Sequence, residues 1–192
     1  MLTFLETERL LLRQFTSDDA ELLVELDSDP RVMRYVAGGI PTSRGEIEDD
    51  FLPAFLDYYQ RYPGYGFWAA LEKRTGEFLG WFHFRPRTDD PQDQPELGYR
   101  LRHAAWGKGH ATEGSRALIA KGFREFGVQR VVASTMAVNT ASRRLMEKSG
   151  MRLVRAFVAE WPVSVPGEEH GDVEYAITRD EWEADDSRLR RQ

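Results

Sequence analysis

The sequence predicts an α/β fold of the α+β kind, with a mixed central sheet that opens as an antiparallel meander and closes on a parallel strand–helix–strand unit. Three observations lead there. Short apolar runs bounded by turn residues dominate the first hundred residues. A glycine pair, Gly107 and Gly109, opens one amphipathic helix. A nearly continuous apolar run, "VQRVVASTMAV", then follows, as expected for a strand covered on both faces in a parallel pair.

The elements follow in order. "RLLLRQF" (9–15) is a short apolar strand, and Thr16 and Ser17 cap a helix through "DDAELLVEL" that Pro30 stops. Ser43 and Glu46 stand at capping-box spacing ahead of a helix reaching Gln60, with a kink expected at Pro53. "FWAALE" and "EFLGWFHFR" flank "KRTG" as an antiparallel hairpin, and "PELGYRLR" follows a loop rich in proline and acid. Ala111, Ser115, Leu118, Ile119, Gly122 and Phe126 line one face of the next helix. Neither repeats nor a linker interrupt the chain, so 192 residues read as one domain over 1–182 with a charged, fraying tail over 183–192.

Composition removes several classes of function. The net charge of -6 argues against a nucleic-acid binder, which would carry a basic stripe to displace counterions. There is no cysteine, hence no disulfide frame and no cysteine nucleophile, and the four histidines never fall at metal-ligand spacing, so no metal is expected. No apolar run is long enough to span a membrane and the charged start is unlike a signal peptide, so a cytoplasmic protein is expected. Its partner is then a small molecule or a cationic peptide.

The stretch "AAWGKGHATEGSRALIAKGF" bares a backbone at the mouth of a helix. The first N–H groups of a helix lack internal partners and the peptide dipoles add positive potential there. Small residues at Gly107 and Gly109 let the N–H groups of 107–112 approach a pyrophosphate; the plainer alternative is a tight turn. Two familiar phosphate loops fail on the letters: "GHATEGSR" lacks the lysine of the nucleoside triphosphate loop, which disfavours triphosphate hydrolysis, and Thr112 replaces the third glycine of the dinucleotide fingerprint.

Six segments in order resemble the N-acetyltransferases of the GNAT superfamily, in particular the RimJ/RimL-like branch of ribosomal-protein alanine acetyltransferases. "ETERLLLRQFTSDDA", "GFWAALEKRTGEFLGWFHF", "ELGYRL", "WGKGHATEGSRAL", "NTASRRLMEKSGM" and "GDVEYAITRDEW" look like that branch's opening strand and helix, hairpin, fourth strand, pyrophosphate loop, cofactor helix and closing strand. The resemblance spans about 5–182 and implies a GNAT fold, acetyl-CoA as acyl donor, a pantetheine arm lying between two splayed parallel strands, and an amine acceptor: a protein N-terminus or a small molecule. Many relatives pair, so the resemblance leaves monomer and homodimer both open. Two departures stand out. Trp106 occupies a position that is usually glutamine or arginine in the wider superfamily, and Met146 stands where many members carry a tyrosine acid.

The chemistry asks for a neutral amine, donors for a developing oxyanion, and only mild help for a thiol leaving group of pKa about 8.5. Neutralising a lysine-type amine at pH 7 costs about 4.6 kcal/mol, an N-terminal amine about 1. Glu96 is the candidate base, with a strand-edge salt bridge as the alternative. By resemblance Leu101 offers its backbone N–H to the thioester oxygen. Asn139 and Ser142 either contact the cofactor or simply cap their helix, and Ser142 could relay a proton in place of the missing tyrosine. Arg102, His103 and Lys108 either touch phosphates or form a solvated cluster, while His110, Ala111 and Thr112 begin the helix beneath the pyrophosphate. Tyr58, Tyr59, Tyr62, Tyr65, Phe67 and Trp68 read as core first and as acceptor pocket second, and the acidic loops around 88–96 and 166–172 as solvated. The other class compatible with these residues is a non-catalytic acyl-CoA sensor.

Overall fold

Turn chemistry and alternating burial divide the chain into eight strands and seven α-helices in a computed structural model that describes residues 2–87, 90–161 and 163–189. The strands are β1 (Thr3–Glu6), β2 (Leu10–Gln14), β3 (Gly66–Glu72), β4 (Phe78–Pro86), β5 (Pro95–Leu101), β6 (Arg130–Met136), β7 (Arg152–Phe157) and β8 (Asp172–Thr178). The helices are α1 (Ala20–Asp27), α2 (Pro30–Met33), α3 (Arg44–Glu46), α4 (Leu52–Arg61), α5 (His110–Glu125), α6 (Thr140–Lys148) and α7 (Arg179–Leu189). One sheet holds all the strands in the order β1-β2-β3-β4-β5-β6-β8-β7, antiparallel throughout except for the β5–β6 pair. The mixed sheet with its antiparallel meander and parallel β5–α5–β6 unit is as the sequence predicts.

Period-two alternation gives the sheet two apolar faces. On the first, Leu10, Leu12, Trp68, Phe82, Phe84, Leu97, Val131 and Tyr175 pack with Leu118, Ile119 and Phe123 of α5 and Met146 of α6. On the second, Ala69, Phe78 and Trp81 pack with Leu23 and Leu26 of α1 and with Ile47, Leu52 and Phe55. Helix α5 seats closely because Gly114 and Gly122 have no side chain; a Cβ would lie 2.4 Å from the Phe82 ring and 2.6 Å from the Phe84 ring.

Several elements differ from the sequence expectation, each for a local reason. The helix over 44–61 is not kinked within a continuous α-helix at Pro53. A capping box, with Ser43 N–H on Glu46 at 2.9 Å, starts it, and a π-helical turn over Ile47–Phe51 precedes α4. Pro53 follows directly on that turn, where Leu52 N–H bonds the Ile47 carbonyl five residues back and the wider spacing accommodates a residue without an N–H. The tail does not fray at 183: α7 runs through the expected boundary to Leu189. Thr178 N–H donates to Glu181 at 2.9 Å to start it, and the Trp182 ring packs 5.5 Å from Phe123. Strands β1 and β7 were not anticipated. β1 is a four-residue edge, and β7 is an exposed edge that lacks alternating burial. Of the acidic loops, Thr88 and Asp89 lie outside the described residues, while Glu168 is held locally by Ser164 Oγ at 2.8 Å and Val165 N–H at 3.1 Å. Among the described residues no helix is long and apolar enough to cross a membrane, and no cluster of His, Asp and Glu could hold a metal ion.

Candidate active site

The glycine loop joins β5 to α5. Gly107 and Gly109 adopt φ of +72° and +83°, a left-handed conformation that side chains disfavour, which is the physical reason for both glycines. A Cβ at Gly107 would meet nothing within 4 Å, so this side of the loop is open. The first helical bond is Glu113 N–H to the Gly109 carbonyl at 3.0 Å. The N–H groups of 107–112 have no partner among the described residues, so six donors, including those of His110, Ala111 and Thr112, are unpaired at the positive end of a sixteen-residue helix. Donor set and open cradle fit a diphosphate.

Arg9, which the sequence did not single out, fixes this loop from the side. Its Nη1 donates to the Lys108 carbonyl at 2.8 Å and its Nε to Glu113 at 2.6 Å; Glu113 also accepts from Thr7 Oγ1 at 2.6 Å. Trp106 closes the loop, its Nε1 donating to the Leu101 carbonyl at 2.8 Å, which gives the departure at this position a structural role. The three neighbouring cations separate. Arg102 turns to α1 and pairs with Glu25 at 2.5 Å, and His103 packs against the Trp106 ring at 4.9 Å, so neither faces the open side of the loop as a free cation. Lys108 makes no ion pair among the described residues.

β5 and β6 share a single register pair, Glu96 with Val132, and part from there towards Leu101 and Met136. Leu101 faces Gly80 across the β4–β5 ladder, and Arg102 N–H bonds the Leu79 carbonyl at 2.8 Å. This phase makes Leu101 and Gly80 a non-hydrogen-bonded pair, so the Leu101 N–H points away from β4 into the gap between the splayed strands. Glu96 lies at the closed end of that gap, on the second face of the sheet.

Glu96 is 19 % exposed and its Oε1 accepts from Arg87 Nη2 at 2.8 Å and Nε at 3.0 Å. The salt bridge that the sequence left as the alternative is therefore present, and it leaves Oε2 unclaimed. Arg87 also reaches Ser134 Oγ at 2.7 Å and Glu174 at 3.0 Å. Burial works to raise the Glu174 carboxyl, but bonds from Arg155 and Arg87 hold it below its usual range. His83, another residue the sequence did not single out, lies with Nε2 3.6 Å from Glu96 Oε2, beyond hydrogen-bond reach, and that nitrogen is buried without a partner. Burial pushes the imidazole down to about 4, so it is neutral at pH 7. Its ring covers Gly98, where a Cβ would approach to 2.4 Å. Of the aromatics, Trp68 and Tyr65 are core and the Tyr59 hydroxyl donates to the Phe67 carbonyl, whereas Phe67 reaches His83 at 5.7 Å on the second face.

On the first face, α6 brings two more residues to the gap. Asn139 caps it: Oδ1 accepts from Ser142 N–H at 3.2 Å, while Nδ2 donates to Thr135 Oγ1 at 3.1 Å. The capping alternative thus occupies the Asn139 side chain. Ser142 Oγ lies 2.8 Å from the hydroxyl of Tyr99 on β5. Burial pushes the Tyr99 phenol up to about 12, with the Ser142 bond as the smaller, opposing effect. Sequence alternation places Tyr99 on this face, but only the fold brings it to Ser142.

A family model described as "Acetyltransferase (GNAT) domain" matches residues 9–152. The chain is 35 % identical over 187 residues to FsC-acetyl coenzyme A-N(2)-transacetylase of Aspergillus fumigatus, covering 93 % of this chain and 77 % of that one. A GNAT-family acetyltransferase of Bacillus anthracis superposes with a TM-score of 0.72 at 25 % identity, covering 91 % of this chain and 98 % of that one. RimL, a ribosomal alpha-N-protein acetyltransferase solved in complex with coenzyme A, shares the fold at a TM-score of 0.77 and 20 % identity, covering 92 % and 98 %.

Proposed function

The chain belongs to the GNAT acetyltransferases, which use acetyl-CoA, and from that premise we propose that it moves the acetyl group to a primary amine by direct attack in a ternary complex. The observation that carries this reading is the set of six unpaired N–H groups at 107–112 opening onto a strand gap that ends at Glu96. Acetyl-CoA supplies an activated acyl group on a thiol leaving group; the chain holds and orients it and takes a proton from the amine.

The loop amides grip the diphosphate, and the Leu101 N–H polarises the acyl oxygen from within the gap. Glu96, its Oε1 fixed by Arg87, offers Oε2 through a water molecule to an ammonium arriving on the second face. The neutral His83 lies beside that oxygen without adding positive charge. On the first face, Tyr99 orients Ser142, whose hydroxyl donates a hydrogen bond to the sulfur as it leaves as a thiolate, and the thiolate then takes its proton from solvent. No acyl-enzyme is needed, and the sequence has no cysteine to form one. The name of the 35 % identical relative, an acetyl coenzyme A-N(2)-transacetylase, supports a nitrogen acceptor. A single GNAT domain working in the cytoplasm, alone or as a homodimer, completes the reading.

Thiol release from acetyl-CoA, followed across peptide N-termini, amino acids and polyamines, tests it. Release coupled to acetylated amine, with the protein's mass unchanged after acetyl-CoA alone, is expected. Thermal stabilisation by acetyl-CoA with no thiol released by any amine contradicts catalysis and leaves a sensor.

A further inference from the structure

The second face of the sheet carries a concentration of arginines near Glu96, and all but one are matched. Arg87 pairs with Glu96 and Glu174, Arg100 with Asp27, and Arg130 and Arg155 with Glu174. Arg85 differs. It stands directly across the β4–β5 ladder from Glu96, so the two side chains leave the same face side by side. Its guanidinium lies 5.2 Å above the Phe67 ring, against which Tyr58 packs edge-on at 6.1 Å. Its hydrogen bond from Nη1 to the Pro86 carbonyl is long at 3.3 Å and its other polar neighbour is the neutral Tyr58 hydroxyl; Nε is buried without a partner, and no carboxylate pairs with it among the described residues.

A partly buried cation without a direct ion pair is costly in a chain whose net charge is -6, where acids to pair with it abound. Such local violations are expected where a ligand completes the site. The terminal nitrogens of a guanidinium present a planar fork suited to a carboxylate, and an aromatic platform holds that fork flat.

We propose that Arg85 is a carboxylate subsite of the acceptor pocket, so that the preferred acceptor is an amine bearing a carboxylate farther along the same molecule. This inference rests on the acetyltransferase reading. The ammonium end lies at Glu96 Oε2 and His83 Nε2, and the carboxylate end at Arg85 over Phe67. A polycation meets the wrong charge at the Arg85 end, and an acceptor lacking the carboxylate leaves the guanidinium unpaired.

The test compares straight-chain amino acids, with two to six carbons between amine and carboxylate, against the matching carboxamides and against spermidine, by thiol release from acetyl-CoA. For the best spacer, kcat/KM should favour the acid over its amide by about 10-fold or more, the scale of one charge-assisted hydrogen bond. Arg85→Gln should bring that ratio towards one by raising KM for the acid, and Arg85→Lys should retain part of it. Retained thermal stabilisation of each variant by acetyl-CoA confirms folding. Equal use of acids and amides, a preference for spermidine, or an acid-to-amide ratio unmoved in Arg85→Gln overturns the subsite alone. Thiol release with none of these amines nor with any peptide terminus overturns the transferase reading itself, and the subsite with it.

Discussion

The hydroxyl of Tyr99 lies 2.8 Å from Ser142 Oγ, tying β5 to α6 across the mouth of the gap between the splayed strands. With its pKa pushed up to about 12, Tyr99 stays neutral and able to donate throughout the working pH range. If this pair serves the leaving sulfur, Tyr99→Phe and Ser142→Ala should each lower kcat about 10-fold with little change in KM for acetyl-CoA, and the double variant should lose no more than either alone. Steady-state kinetics with an acetyl thioester of a more acidic thiol separates this from a packing role, because a better leaving group should erase the defect.

The loop glycines make a second prediction. Gly107→Ala forces a side chain into a left-handed backbone at a cost of about 1–2 kcal/mol, with no steric contribution because nothing lies within 4 Å. Gly109→Ala adds crowding against Arg9 Nη2 at 3.3 Å. Both should weaken acetyl-CoA binding in calorimetric titration, and Gly109→Ala should do so more. An unchanged Kd in both would show that the loop conformation is irrelevant to the ligand.

His83 sets a pH dependence of stability. The groups facing it are Glu96, which favours protonation, and Arg85, Arg87 and Arg100, which add to burial in opposing it. An unfolded histidine titrates near 6.5 and the folded one only at about 4, so the unfolded chain takes up the proton first as pH falls. The stability due to this group is therefore full above about pH 6.5 and is lost on the way down to 4. Urea denaturation should find His83→Phe less sensitive than the parent to a change from pH 7 to pH 5, by up to about 2 kcal/mol. Identical sensitivity would place the imidazole in water.

Helix α5 supplies a packing prediction. A methyl at Gly114 would meet the buried Phe82 ring at 2.4 Å, so Gly114→Ala should lower stability by about 1–3 kcal/mol and shift the helix whose first turn carries the loop. Thermal unfolding with and without acetyl-CoA reads both effects: a lower Tm, and a smaller ligand-induced rise.

The parts of this molecule that were legible in its sequence are those written in local chemistry. Gly107 and Gly109 are visible because few other residues accept positive φ, the cap at Asn139 because capping is one of the two uses that an amide beside a helix start offers, and α5 because its apolar period is long. The mixed sheet followed from the order of the runs. What was hidden depends on contacts made by the fold. Arg9 reaches Glu113 across 104 positions, and Arg87 gathers Glu96, Ser134 and Glu174 from three strands. Nothing in the run "ELGYRL" singles out Tyr99; its contact with Ser142 exists only once α6 is packed beside β5. β7 and α7 were missed because exposed, charge-rich segments carry little periodicity, although Trp182 on Phe123 anchors the latter. The sequence marks Pro53 as a point of disturbance through an expected kink, but not the π-helical turn that precedes it.

Amide chemical shifts in a titration with coenzyme A address the central claim most directly, which is that backbone N–H groups at the start of α5 hold the diphosphate. Saturable shifts at Gly107 through Thr112, with the β3–β4 turn at 73–76 unmoved, are predicted. Coenzyme A that binds while those six amides stay where they are would contradict the account.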